Sequence, residues 1–316
     1  FAELLPFAGD NLRAARVVSQ TLFTLANDVG KPLLDVQSSG DGQLLARALP
    51  VIERAATSVQ SSADELAGLA RSPQLIAPVR QGVADVVDAL DDVQPLLSVL
   101  PPLLGADRQR NYLLVFQNNA EVLPLGGSAA SQSLISVDNG DVTIAAQADS
   151  TKFRNGTAVD LAVDPSAAAL YGRYLVDHVN TAVTRPDFPT AARILRAFWQ
   201  RDIDPSPVDA VISIDPLALS RILRATGPIQ VGGVDIDADN AVRILLSDSY
   251  VWWDPSKGPE QQEASDGFFA AVARTVFERV ASGSFDIQTM IGAVRGAIDH
   301  GSIMVWSDDA ELSPWI

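Results

Sequence analysis

The chain has 316 residues, 47% of them apolar, with a formal net charge of -16. That apolar share supports a sizeable core and excludes wholesale disorder, while so acidic a surface repels phosphate backbones and excludes nucleic acid as a partner. With no cysteine and only His178 and His300, disulfides, thiolate metal sites and multi-histidine centres are excluded too.

In chain order, residues 1–107 read as a helical bundle or stalk. The stretch AGDNLRAARVVSQTLFTLANDVG has Asp10 or Asn11 as a candidate cap and Gly30 as a stop. Leu12, Ala15, Ser19, Leu22, Ala26 and Val29 recur at helical spacing. Two further helical segments follow, one around Ile52 to Leu69 and one from PVRQGVADVV to VLPPLLG. Pro50 stands in the first turns of the second helix or splits it. Aromatic residues are nearly absent here, as in a spacer or packing region. The string PPLLGADRQR ends this periodicity.

From residue 108 onward the pattern is that of an α/β domain with a mixed sheet, since short apolar runs alternate with helical segments. NYLLVFQNN reads as a buried strand, and SLISV and VTIAA flank Asn139-Gly140, a hairpin signal. Residues 159–183 and 187–201 read as helical, VDAVISIDP as a strand and 217–225 as a helix. IQVGGVDI reads as a two-strand ribbon, 239–247 and 260–282 as helices, and SIMVW as a last strand. No run of 18 or more apolar residues occurs, so no stretch of this sequence reads as a membrane span.

Three constellations carry candidate chemistry. Gln117, Asn118, Asn119 and Glu121 follow the first strand, with Gly126-Gly127 beyond. At a strand's carboxyl end such amides donate to phosphate or sugar oxygens, and Glu121 accepts from a hydroxyl or holds a cation; their plainer role is to lock a turn. Asp149, Ser150, Lys152 and Arg154 lie in ADSTKFRNGT, where Asp149 is a candidate Mg²⁺ ligand and Lys152 or Arg154 a phosphate ligand; the same string also fits a solvated loop. Arg185 precedes a helix opening at Asp187-Phe188-Pro189-Thr190, either an anion-binding amino terminus or an ordinary cap. Trp252-Trp253 is a candidate sugar-stacking or lipid-facing surface, or a pair with one ring in the core.

RNYLLVFQNNAEVLPLGG, SLISVDNGDVTI, RPDFPTAARILRAFW, VDAVISIDPLALSRILRATGPIQV and IMVWSDDAEL together resemble the domain-of-unknown-function family 4012 over about residues 108 to 311. That resemblance implies an actinobacterial type of cell-envelope protein, extracytoplasmic and held to the membrane by a segment preceding Phe1. The order of elements is also similar to the LytR-CpsA-Psr phosphotransferases, which implies their architecture for the α/β domain. Those enzymes move a polyprenyl-linked glycan to a cell-wall acceptor using arginines, aspartates and Mg²⁺. By this likeness Asn180 in VNTAV matches their K-I-N-A asparagine. Glu121, Asp149 and Arg185 become candidate catalytic residues, and Gln117, Asn118, Asn119, Lys152, Arg154 and Asn180 ligand-binding ones. Two departures stand out: Ser-Ala-Ala-Ser-Gln at 128–132 replaces an R-x-D motif, and Asp149-Ser150 replaces an Arg-Asp pair. The alternative expectation is a non-catalytic envelope module that binds glycan, lipid or protein.

Overall fold

The structure, a computed structural model, describes residues 9–38, 43–283, 285–310 and 312–313. The chain divides into two compact units, residues 1–109 with 138–141, and residues 110–137 with 142–316.

The first unit is helical. It contains α1 (Gly9–Thr24), continued by a wider π turn at Leu25–Gly30, then α2 (Lys31–Ser38), α3 (Leu44–Ala70) and α4 (Ala77–Leu103). Gly30 therefore does not stop the chain's helical path, which runs on into Lys31. Pro50 lies inside α3 without ending it. Val59, Ala63 and Leu66 recur every three to four residues along α3 and bury one stripe against Ala14, Val17 and Val83. Asn11 ties the 71–76 turn to α1: its Oδ1 accepts from the Ile76 N–H at 2.8 Å and its Nδ2 donates to Gln74 O at 2.9 Å. No helix among the described residues is long and apolar enough to cross a membrane.

The second unit is mixed α/β. Its five-stranded sheet has the order β3-β2-β1-β4-β7, built from β1 (Arg110–Asn118), β2 (Ser128–Asp138), β3 (Asp141–Asp149), β4 (Ala210–Ile214) and β7 (Ile303–Trp306). The pair β1/β2 is antiparallel, β1/β4 parallel and β4/β7 antiparallel. The β2–β3 turn places Asn139 at φ 50° and Gly140 at φ 77°, the two positive values a tight hairpin turn requires.

Alternation along β1 sends Leu113 and Val115 to one face and Leu114 and Phe116 to the other. The first face packs on α7 (Phe188–Asp202), with Ile194, Leu195, Phe198 and Trp199 fully buried. The second packs on α8 (Pro216–Thr226) and α11 (Pro259–Ala281), through Leu219, Ile222, Phe268 and Val272. The central strand β1 is thus covered on both faces, which fits its apolar run. Arg110, buried at the start of β1, donates from Nη1 to Asp309 at 2.8 Å and stands 3.7 Å from Asp209.

Between these elements lie α5 (Pro165–Tyr171), α6 (Tyr174–Asp177), the ribbon β5 (Ile229–Val231) with β6 (Val234–Ile236), α9 (Ala241–Arg243), α10 (Ser249–Trp252) and α12 (Ile287–Asp299). The expected helix over 159–183 is corrected to two short helices and a 3-10 segment at Val179–Val183, with 159–164 irregular. Asp164 caps α5 from outside and Pro165 takes the first helical position, so the helix starts there. Gly172, at φ 61°, ends it seven residues later. The span expected as one helix at 239–247 is a single α turn followed by a π turn, Ile244–Asp248.

Candidate functional site

At the carboxyl end of β1 the amides fold back on their own loop. Asn118 Oδ1 accepts from the Ala120 N–H at 3.1 Å, and Asn118 Nδ2 reaches the Tyr250 hydroxyl and, at 3.4 Å, Glu121 Oε1. Glu121 Oε2 accepts from the Ser128 hydroxyl. Asn119 Nδ2 donates to Gly126 O at 2.7 Å and to Asp215 Oδ2 at 3.2 Å. Gly127 is required by contact rather than by φ: a Cβ there would overlap the Asn118 carbonyl, and Asn119 N would lie 2.6 Å away. The QNNAE segment is therefore a locked turn, and Glu121 spends both oxygens on it. Burial, the largest influence, raises the Tyr250 phenol above its ordinary value; the Asn118 hydrogen bond opposes this and the Glu121 charge adds to it.

Beside this turn two hollows lie on the α11 side of the sheet. The larger is a groove of about 680 Å³ between β2, β3 and α11. Its charged lining is Asp149, Lys152, Glu263, Asp266 and Arg274. A polar relay crosses it: Arg274 Nη2 donates to Gln147 Oε1 at 3.0 Å, and Gln147 Nε2 donates to Ser133 Oγ at 3.1 Å. Gln262 Nε2 donates to Asp266 at 2.9 Å, one turn along α11. Burial pushes the Asp266 carboxyl above its ordinary value; Gln262 opposes this, Asp149 and Glu121 push it further up, and Lys152 pulls it down. The smaller hollow is a chamber of about 60 Å³ whose walls include Phe116, Ile214, Leu219, Leu245, Phe269 and Val272. Gln117, Asn118 and Asp215 line it too, and Ala130, Ser131 and Phe269 line both hollows.

The nine sequence-derived candidates divide accordingly. Asp149 and Lys152 line the groove, Gln117 and Asn118 the chamber, and Asn119 and Glu121 hold the turn. Arg154, Asn180 and Arg185 line neither hollow. Arg154 Nε binds Asp202 Oδ1 at 2.6 Å, and Arg201 Nη2 binds Asp202 Oδ2 at 2.6 Å. Burial opposes ionisation of Asp202, yet the hydrogen bonds from Arg201 and Arg154 hold its carboxyl down to about 2. Arg185 Nε stands 3.7 Å from Asp187 and its charge acts on Asp164. Asn180 sits in the 3-10 segment with its Oδ1 buried and without a hydrogen-bond partner.

Asp149 Oδ1 already accepts from Thr151, by its N–H at 2.8 Å and by its hydroxyl. Among the described residues no three His, Cys, Asp or Glu side chains converge as a metal set, so an all-protein Mg²⁺ cage does not fit here. Sequence reasoning passed over Gln147, Gln262, Asp266 and Arg274. The signal on α11 was the four-residue step between Gln262 and Asp266, and from Asp266 to Ala270, which puts them on one helical face. Trp253 packs on Phe268, ring centroids 4.8 Å apart, while Trp252 stays 42% exposed.

The strand, locked turn and hairpin just described open a stretch that matches a known family model. Residues 107–250 match the family described as Protein of unknown function (DUF4012). A comparison with curated proteins found no match. The DUF4012 stretch runs from β1 into α10. It contains the β2–β3 wall of the groove but not α11, so Gln262, Asp266 and Arg274 lie outside it.

Proposed function

We propose that this chain is an extracytoplasmic envelope protein whose α/β unit binds a glycan in the groove between β2, β3 and α11, without catalysing phosphoryl transfer. Anchoring to the membrane, through a segment outside this sequence, belongs to the same proposal. So does descent from a LytR-CpsA-Psr-like scaffold, which rests on the sequence likeness alone.

The observation that carries the reading is the groove's chemistry. Its amides, hydroxyls and carboxylates both donate and accept, which matches sugar hydroxyls. Its three carboxylates outnumber Lys152 and Arg274, and Gln147 takes up one guanidinium nitrogen of Arg274. A pyrophosphate placed there meets net negative charge; of the arginines expected to neutralise it, Arg154 is paired with Asp202 and neither Arg154 nor Arg185 lines the groove. The volume of the groove lies within the usual range for a small-ligand site, roughly 300–1,000 Å³.

The test is calorimetric titration of the protein with soluble oligosaccharides released from envelope polymers, alongside farnesyl phosphate as a short polyprenyl phosphate. The expected result is saccharide binding that weakens at least tenfold in Asp266→Ala. Binding of farnesyl phosphate alone, lost in Lys152→Ala, overturns this reading in favour of the phosphotransferase.

A further inference from the structure

We infer that the glycan taken by the groove carries a short acyl substituent, of which an N-acetyl group is the simplest, and that the chamber beside the groove receives its methyl end. This rests on the glycan reading above and narrows it.

Three observations lead to it. First, groove and chamber are neighbours with a common wall: Ala130, Ser131 and Phe269 line both. A ligand lying in the groove therefore has the chamber within reach of one substituent. Second, the two hollows differ in chemistry. The groove offers charges and amides, whereas most of the chamber's lining is apolar, Phe116, Ile214, Leu219 and Val272 among it, with Gln117, Asn118, Ser131 and Asp215 as its polar members. A bare hydroxyl directed at the apolar walls loses its hydrogen bonds to water without replacing them there, so an unsubstituted sugar fits the chamber poorly. A methyl group gains there what it loses in water.

Third, the size selects the substituent. An apolar cavity of about 150 Å³ accommodates the six carbons of benzene. The 60 Å³ here corresponds on that scale to roughly two or three heavy atoms. An acetyl group fits, and the five-carbon units of a polyprenyl chain do not. The polar members of the lining, Gln117, Asn118, Ser131 and Asp215, suit the amide that joins such a group to a sugar. The ladder pairs Ser131 with Phe116, which puts the serine on the chamber's side of the sheet next to the groove. Asn118, also in the lining, is held in place by Tyr250.

The experiment compares two probes whose sugar rings differ at one position: N,N′,N″,N‴-tetraacetylchitotetraose, which bears acetamido groups, and cellotetraose, which bears hydroxyls there. Both are titrated into the full chain carrying isotope-labelled methyl groups. The expected result is about fourfold tighter binding of the acetylated sugar, the scale of one buried methyl. The methyl signals of Ile214, Leu219 and Val272 shift with that sugar only. Ala273→Leu, which fills the chamber from α11, is expected to bring the two sugars within twofold of each other. Val272→Ile is the milder filling variant, expected to narrow the preference if Ala273→Leu does not fold. Equal affinity of the wild-type protein for both sugars overturns this inference and leaves the glycan reading standing. So does a preference that persists in a folded filling variant. Absence of binding by either sugar overturns both.

Discussion

Replacing Asp202 with asparagine tests the claim that Arg154 belongs to the fold and not to a ligand site. Asp202 closes α7, its side chain is 1% exposed, and it accepts from the Arg154 N–H at 3.0 Å, from Arg154 Nε and from both Nε and Nη2 of Arg201. Its carboxyl is held at about 2 against an ordinary 3.8. At 1.36 kcal/mol for each pH unit, that difference is about 2.5 kcal/mol of stability at neutral pH. The sign follows from linkage. A carboxyl whose folded pKa is depressed contributes fully above its unfolded value and loses the contribution as pH falls through the folded one. Urea denaturation of wild type and Asp202→Asn at pH 7, 5 and 3 reads this directly. The expected gap is about 2.5 kcal/mol at pH 7 and 5, equivalent to roughly 5–10 °C in Tm for a unit of this size, and about half of that at pH 3. A gap near zero at pH 7, or one that stays constant down to pH 3, refutes the account.

Asp266 is expected to behave in the opposite way. Its raised pKa means that its contribution is present below 3.8 and disappears as pH rises through the raised value. Asp266→Asn should therefore melt higher than wild type at pH 7, and the difference should vanish in acid; a lower melting temperature at pH 7 contradicts this. Gly127→Ala forces a Cβ onto the Asn118 main chain, which cannot rotate away. The expected loss is about 1–3 kcal/mol, read as a shift of the urea midpoint, and an unchanged midpoint contradicts the close approach.

Much of the sheet was legible because its signals are local. The apolar run NYLLVF and the Asn139-Gly140 pair depend on neighbours in sequence, and β1, β2 and β3 follow from them. The helix after Asp187 was legible for the same reason, since Pro189 occupies its first turn and Ile194, Leu195 and Phe198 recur at its period. What was not legible was pairing at a distance. Nothing near Arg154 in sequence announces Asp202, 48 residues on. The carboxylate of Glu121 reads as available until Ser128 returns beside it. The polar face of α11 reads as a solvated surface in a one-dimensional pattern; only its placement over β2 and β3 makes it a groove wall.

That placement orders events in time. The strands supplying one wall are translated more than a hundred residues before Gln262, Asp266 and Arg274 of the other. A nascent chain that has emerged only as far as α10 presents Gln147 and Asp149 with nothing opposite them. The groove is then complete only once α11 has followed, and a truncation near residue 258 leaves β2 and β3 with no opposite wall.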